Sequence, residues 1–272
     1  SFQLSHSKFI KPNYAILLNI TNDHLDWHGS MNNYINSKLK IFNLQQKNNY
    51  AIINKKLKNK FKSKKFVSKL IFQKINEYQK IKVKIQNDYL KSVSNDENMS
   101  FVYTLSKLIK INKKSFISSI NSFVGLPHRF EIFLKKKNIT FVNDSKATSF
   151  QAAKLALMSC SNIYWILGGQ PKLKDKIILK EAKKNIIKAY IIGRDSNFFK
   201  NQLKNKINFT VTKNLKVSII KILKEIRFLK NKKFTVLLSP SAASFDQYVN
   251  FESRGNEFKK LSKKYANKFI KH

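Results

Sequence analysis

The sequence predicts an α/β protein whose C-terminal half is a doubly wound parallel sheet. Three observations carry that prediction. From Asn138 onward, short apolar runs at 140–143, 163–167, 189–192, 209–211 and 235–239 alternate with helical stretches. The helices begin near Ser149, Asp175, Asp195 and Leu215, with a last one near Arg254. Short apolar strands separated by helices imply parallel crossovers. Second, Asp144, Gly168, Gly193 and Ser239 each fall just past the end of such a strand, where open α/β sheets bind their ligands. Third, the chain opens in the same way, with an apolar run at 15–20, a polar loop and a helix at about 31–44.

The run at 15–20 reads as a buried strand, and the loop Thr21-Asn22-Asp23-His24-Leu25-Asp26 leads from it to the first long helix. On that helix, i, i+3 and i+4 spacing puts Tyr34, Lys38, Ile41 and Phe42 on one face. Residues 50–93 read as short β-like runs separated by Lys- and Asn-rich turns. Residues 98–111 read as a helix and 114–123 as another. The pattern changes near Gly125, which places a first domain at 1–124 and a second at 125–272.

At 272 residues and 31.8 kDa the chain can bury one large or two ordinary cores. Its one cysteine, Cys160, excludes an internal disulfide framework and fits a reducing, cytoplasmic setting. No apolar run approaches the ~18 residues of a membrane span. The chain opens on Ser1 rather than Met and reads as a fragment of a longer protein. A net charge of +39 points first to nucleic acid or an acidic membrane. However, the excess is Lys rather than Arg, scattered along the chain and accompanied by abundant Asn, Ile and Phe, as A/T-rich coding would produce. No nucleic-acid module is recognisable, so neither a specific nucleic acid nor a membrane is expected as partner. Against that drift the scarce residues stand out. Gly125, Gly168, Gly169 and Gly193, with Pro127, Pro171 and Pro240, have collected in the loops where a ligand would sit.

Two loops flank the apolar run 139–142: Gly-Leu-Pro-His-Arg-Phe-Glu at 125–131 and Asn-Asp-Ser-Lys-Ala-Thr at 143–148. They bring together His128, Arg129, Asp144, Lys146 and Thr148. Thr148 and Ser149 open a helix whose N-terminus is suited to a carboxylate or phosphate. Gly168-Gly169-Gln170-Pro171-Lys172 allows close approach of a second anion to Lys172, and Ser239-Pro240-Ser241-Ala242-Ala243-Ser244-Phe245-Asp246 is another small-residue loop opening a helix. Together the three loops predict a site for one anionic small molecule. Lys38, on an apolar stripe, either snorkels to solvent or is a desolvated amine of lowered pKa able to add carbon dioxide as a carbamate. His24 is either structural or a second metal ligand. Asn95 or Asp96 reads as an ordinary N-cap, or the Asn95 and Asn98 amides read an adenine edge.

With these motifs assembled, the chain closely resembles the Mur ligase family of peptidoglycan synthesis, in the branch that adds D-glutamate. The likeness is carried by Ser-Phe-Gln-Leu at 1–4, residues 19–26, 34–42, 125–131, 143–148, 168–172, 193–195, 237–247 and 250–258. It covers the whole chain, most loosely at 50–93. It implies part of a P-loop-type central domain over 1–124, without its P-loop, followed by a Rossmann-like doubly wound domain over 125–272 that binds amino acid and ATP. It implies that ATP phosphorylates the L-alanine carboxylate of UDP-N-acetylmuramoyl-L-alanine and that the D-glutamate amine attacks the acyl phosphate. Lys38 would be the carbamylated lysine and His24 a Mg2+ ligand. Arg129 would lie near the phosphates, Asn95 and Asn98 near the adenine and Asp144 on the ribose. D-Glutamate would lie among Lys146, Thr148, Lys172, Ser244, Phe245 and Phe251. The complete enzyme would be a cytoplasmic monomer.

The departures are specific. Gly168–Lys172 lacks Gly-x-x-x-x-Gly-Lys-Ser/Thr spacing, and the family's metal-binding glutamate would precede Ser1. Phe245 stands where an aliphatic residue is common, and Ser94 where a histidine often precedes the first Asn. The 272 residues alone are therefore expected to be inactive. The contrasting expectations are a non-catalytic basic protein that binds RNA or anionic lipid, and a sister ligase that takes another amino acid.

Overall fold

A computed structural model describes residues 1–20, 25–61, 65–91, 95–172, 175–229 and 232–270, apart from the side chains of Asp26, Lys60, Asp88 and Tyr89. The chain divides into two compact units, Ser1–Phe123 and Val124–His272.

In the first unit β1 (Tyr14–Leu17), β2 (Tyr50–Asn54) and β3 (Lys69–Gln73) form a parallel sheet in the order β1-β2-β3. Helices α1 (Phe2–His6), α2 (Leu25–His28) and α3 (Met31–Asn43) come from the same region. Ser30 caps α3 by accepting the Asn33 N–H. The helix then buries Tyr34, Leu39 and Phe42 in a core with Ala15, Leu17, Ala51 and Ile53. Residues 50–93 are not only β-like runs. After β3 the chain forms α4 (Ile75–Lys82) and the short α5 (Asp88–Lys91). Tyr78 and Ile81, one helical turn apart on α4, pack with Met99 and Tyr103 of α6 (Asp96–Leu108) and with Phe116 and Ile120 of α7 (Lys113–Ser122). The lysines between the apolar residues of 75–85 had hidden the helical period.

The second unit holds β4 (Glu131–Lys136), β5 (Ile139–Asn143), β6 (Ile163–Gly168), β7 (Ile186–Ile192), β8 (Phe209–Lys213) and β9 (Phe234–Leu238). Among the described residues they make a six-stranded sheet, order β4-β5-β9-β6-β7-β8. It is parallel except for β4, an antiparallel edge strand that the sequence reading lacked. Helices α8 (Phe150–Ser159) and α9 (Ser196–Leu203) cover one face, meeting Trp165, Leu167, Ile191 and Leu237. Helices α10 (Leu215–Ile226) and α11 (Phe251–Phe269) cover the other, meeting Tyr164, Ile166, Ile192 and Leu238. Alternate residues of one strand thus serve opposite layers, and the sheet is doubly wound. Among the described residues no helix begins near Asp175. The chain runs there without regular structure, buries Ile177 and Leu179, and makes a 3₁₀ turn only at Lys180–Asn185.

Pairing brings Asn143 opposite Leu238, Leu238 opposite Ile166, and Gly168 opposite Ile192. The carboxyl ends of β5, β9, β6 and β7 therefore form one rim.

Candidate functional site

The rim loops of the second unit are stitched to each other by hydrogen bonds. Asp144 N–H donates to Leu238 O (2.8 Å), Ser241 N–H to Ala147 O (2.9 Å) and Gly168 N–H to Pro240 O (2.9 Å). Gln170 and Ala243 exchange N–H···O bonds of 2.9 Å. Gly169 makes that last approach possible: its φ is +131°, and a Cβ would stand 2.2 Å from Ala243 O. The loop after β7 joins through Arg194 N–H, which donates to Asp246 Oδ2 at 3.0 Å.

Arg254, one helical turn into α11, fastens two of these loops from below. Its Nε donates to Ser145 Oγ (3.0 Å), and Nη2 donates to Ser145 O (2.8 Å) and Ala242 O (3.0 Å). The side chain is fully buried, and burial brings its pKa down to about 10, so it stays charged at neutral pH. Sequence reasoning gave this residue no role. Its one signal was rarity, because the chain's arginines are only Arg129, Arg194, Arg227 and Arg254. A forked, always-charged donor suits paired carbonyl contacts that a lysine cannot make.

Asp144 lies half-buried at the end of β5. Its Oδ1 accepts the Phe130 N–H (3.2 Å) and Oδ2 the Ser239 hydroxyl (2.8 Å). Burial pushes its carboxyl up to about 6, although those two hydrogen bonds and the Arg129 charge pull the other way. Arg129 itself is exposed, on a turn whose flanking residues His128 (φ +62°) and Phe130 (φ +48°) are both left-handed. The turn is anchored from beneath by Glu131, which accepts His128 N–H, Asn143 Nδ2 and Lys259 Nζ, each at 3.0 Å. Burial works to raise the Glu131 carboxyl, but the hydrogen bonds from His128 and Lys259 and the Lys259 charge outweigh it and leave it lowered. The His128 ring is buried and bonded to Asn143 at 2.9 Å, and burial, with the Lys259 charge, lowers its pKa.

Several of the residues expected around D-glutamate share this rim. Lys146 Nζ sits 3.9 Å from the centre of the Phe251 ring, a cation–π contact that aims the amine. Thr148 is half-buried two residues on, Ser244 is buried, Phe245 is 70% exposed, and Lys172 is exposed on the loop joined to Ala243 through Gln170. The start of α8 is not open as expected. Ser149 accepts the Ala152 N–H, and the carboxylate of Asp175 accepts the Phe150 N–H at 2.9 Å. Two of the N–H groups at that helix end are thus taken by the protein's own acceptors.

Lys38, Asn95 and Asn98 belong to the first unit, while His24 and Ser94 lie outside the described residues. Lys38 is half-buried; its Nζ donates to Asn19 O at 2.9 Å and lies 4.8 Å from the Tyr34 ring centre. The amine thus ends on an exposed backbone carbonyl shortly after β1. As an ammonium it does not fit Mg2+, which takes oxygen ligands; only as a carbamate does it present them. Among the described residues no group of three or more His, Cys, Asp or Glu stands ready to hold a metal. Asn95 occupies the N-cap position of α6 without a side-chain capping bond, and Asn98 is exposed on the first turn. Asp96 does not cap either: it is buried and paired with Lys82 at 2.5 Å. No helix among the described residues is long and apolar enough to cross a membrane.

Residues 2–121 match the Mur ligase middle domain. A UDP-N-acetylmuramoylalanine--D-glutamate ligase of Wolbachia sp. subsp. Brugia malayi is 37% identical over 275 residues, spanning 96% of this chain and 55% of that protein. One from Rickettsia prowazekii is 36% identical over 287 residues, spanning 97% of this chain and 64% of that protein. The chain therefore covers little more than half to just under two thirds of the length of these relatives. Among solved structures, the MurF ligase of Thermotoga maritima in complex with ADP has a TM-score of 0.62 at 15% identity, spanning 94% of this chain and 64% of that one. MurC from the same organism has a TM-score of 0.58 at 16% identity, spanning 93% and 60%. At those identities the structures speak for the fold alone. Residues 2–121 thus carry a Mur ligase middle domain, and nearly the whole chain is similar to D-glutamate ligases of that family.

Proposed function

We propose that the chain is the larger C-terminal part of an ATP-dependent ligase that adds D-glutamate to UDP-N-acetylmuramoyl-L-alanine through an acyl phosphate, in peptidoglycan synthesis. Ser1–Phe123 is then the end of the central ATPase domain, and Val124–His272 the domain that binds the amino acid and ATP. The single observation that carries this reading is the stitched rim of the second unit. There Lys146, aimed by Phe251, shares bonded loops with Thr148, Ser244 and Lys172. A dicarboxylate needs cations at both ends, and Lys146 and Lys172 supply them from different loops. Ser244 offers a buried hydroxyl, while Phe245 and Phe251 give the aliphatic chain apolar cover.

Arg129, raised on its left-handed turn, meets the negative charge that develops on the transferring phosphoryl group. Asp144 accepts a ribose hydroxyl on lone pairs that Ser239 and Phe130 leave open, and Asn95 and Asn98 read the adenine. Lys38, once carbamylated, and His24 hold Mg2+, which when bound neutralises phosphate charge. The enzyme acts as a cytoplasmic monomer without a specific nucleic-acid partner.

The test is amide formation. The 272 residues contain no Gly-x-x-x-x-Gly-Lys-Ser/Thr loop and should neither hydrolyse ATP nor ligate alone. The complete enzyme should release phosphate from ATP only when D-glutamate and the nucleotide substrate are both present. Ligation by the 272 residues alone would overturn the first statement. Preference of the complete enzyme for another amino acid would replace the second with a sister ligase.

A further inference from the structure

The carboxylate at the start of α8 belongs to a residue that the proposed site does not use. Asp175 Oδ2 accepts the Phe150 N–H at 2.9 Å, in the first turn of α8, where helix geometry and a full negative charge both strengthen the bond. The Asp175 backbone is held as well. Its N–H donates to Lys172 O at 3.2 Å, and its C=O accepts Gln202 Nε2 at 3.5 Å. Gln202 Oε1 in turn accepts the Ile177 N–H at 3.1 Å. Beyond this point Ile177 and Leu179 enter the core. The chain leaving β6 is therefore pinned three residues after Lys172, to a helix residue that follows Thr148 by two.

We propose that Asp175 is a positioning residue for amino-acid binding: it ties the Lys172 loop to the start of α8, so that Lys172 and Thr148 face one substrate carboxylate together. It does not touch the substrate and acts through Lys172. The proposal rests on the reading that Lys172 holds a D-glutamate carboxylate. It also accounts for a helix end that carries an internal acceptor in place of a ligand. A loop held by a charged hydrogen bond meets its ligand already ordered, and losing that order is felt as weaker binding of one substrate alone.

The experiment uses the complete ligase with Asp175→Ala, Asp175→Asn, Gln202→Ala, Lys172→Met and the Asp175→Ala/Lys172→Met double variant. Removing a charged hydrogen bond should raise KM for D-glutamate about tenfold in Asp175→Ala, with KM for ATP unchanged. Asp175→Asn, which keeps an oxygen for the Phe150 N–H, should recover most of the loss, and Gln202→Ala should show a smaller rise of the same kind. The double variant should match Lys172→Met within about twofold, since the two residues act in series. If Asp175→Ala fails to fold, Asp175→Asn and Gln202→Ala carry the test alone. Equal rises in both KM values, or a fall in kcat that only tracks a lower melting temperature, would reduce Asp175 to a structural part. An unchanged KM for D-glutamate in the Asp175 and Gln202 variants, while Lys172→Met raises it, would sink the tether and leave the ligase reading standing. An unchanged KM in Lys172→Met would remove the Lys172 assignment itself.

Discussion

Replacing Asp144 with Asn should make the second unit more stable at neutral pH, and the structure sets the size of the gain. The carboxyl is carried from 3.8 to about 6 on folding, chiefly by burial. Between those pH values the folded state binds more protons than the unfolded one. Stability therefore falls as pH rises through that window, and the whole loss is present at pH 7. At about 1.4 kcal/mol per tenfold change in proton affinity, the cost is roughly 2–3 kcal/mol. Asparagine removes the charge but keeps the contacts: Oδ1 accepts the Phe130 N–H, and the amide donates to the Ser239 hydroxyl, which can turn to receive it. The assay is urea unfolding followed by Trp165, which is buried in β6, in a background where Trp27 is changed to Phe. The gain from Asp144→Asn should be largest at pH 7 and shrink towards pH 4. A gain independent of pH, or a loss at pH 7, would refute the reasoning. A carboxylate that the fold keeps at such a cost fits a role in binding better than one in stability.

Two further substitutions test the packing of the rim. Gly255→Ala would gain helix propensity at an ordinary site, about 1 kcal/mol, yet here the new Cβ would lie 2.2 Å from His128 Nδ1. The same urea assay should show a net loss of about 1–3 kcal/mol from overpacking, and any stabilisation would count against the His128 placement. Arg254→Met should lose about 3 kcal/mol or more, because the carbonyls of Ser145 and Ala242 are left buried without their donors; a melting temperature equal to that of the wild type would contradict the bracing role.

The parallel strands of the second unit were legible because each is short, rich in apolar residues and followed by a turn or loop. All of β6, from Ile163 to Gly168, is buried, so no register had to be guessed to see it. The edge strand β4 was not, because Glu131–Lys136 is buried only in part and carries charge at both ends. Near Asp175 the sequence predicts the start of a helix, whereas residues 175–179 run without regular structure. The Asp175 carboxylate serves α8, twenty-five residues earlier in the chain. The same gap separates residue types from their bonds at the rim. Lysines, glycines and small hydroxyl residues past strand ends announce an anion site in one dimension. That Arg254 reaches back 109 residues to Ser145 depends on where α11 comes to rest, and no local pattern encodes it.

The last strand in sequence, β9, lies between β5 and β6 near the centre of the sheet. A ribosome must therefore deliver residue 238 before the second unit can close, because until then the two halves of its sheet have no common neighbour. Distant pairings of that kind slow folding and leave unpaired strand edges exposed during synthesis. Truncations before Phe234 should yield aggregates rather than a smaller folded piece.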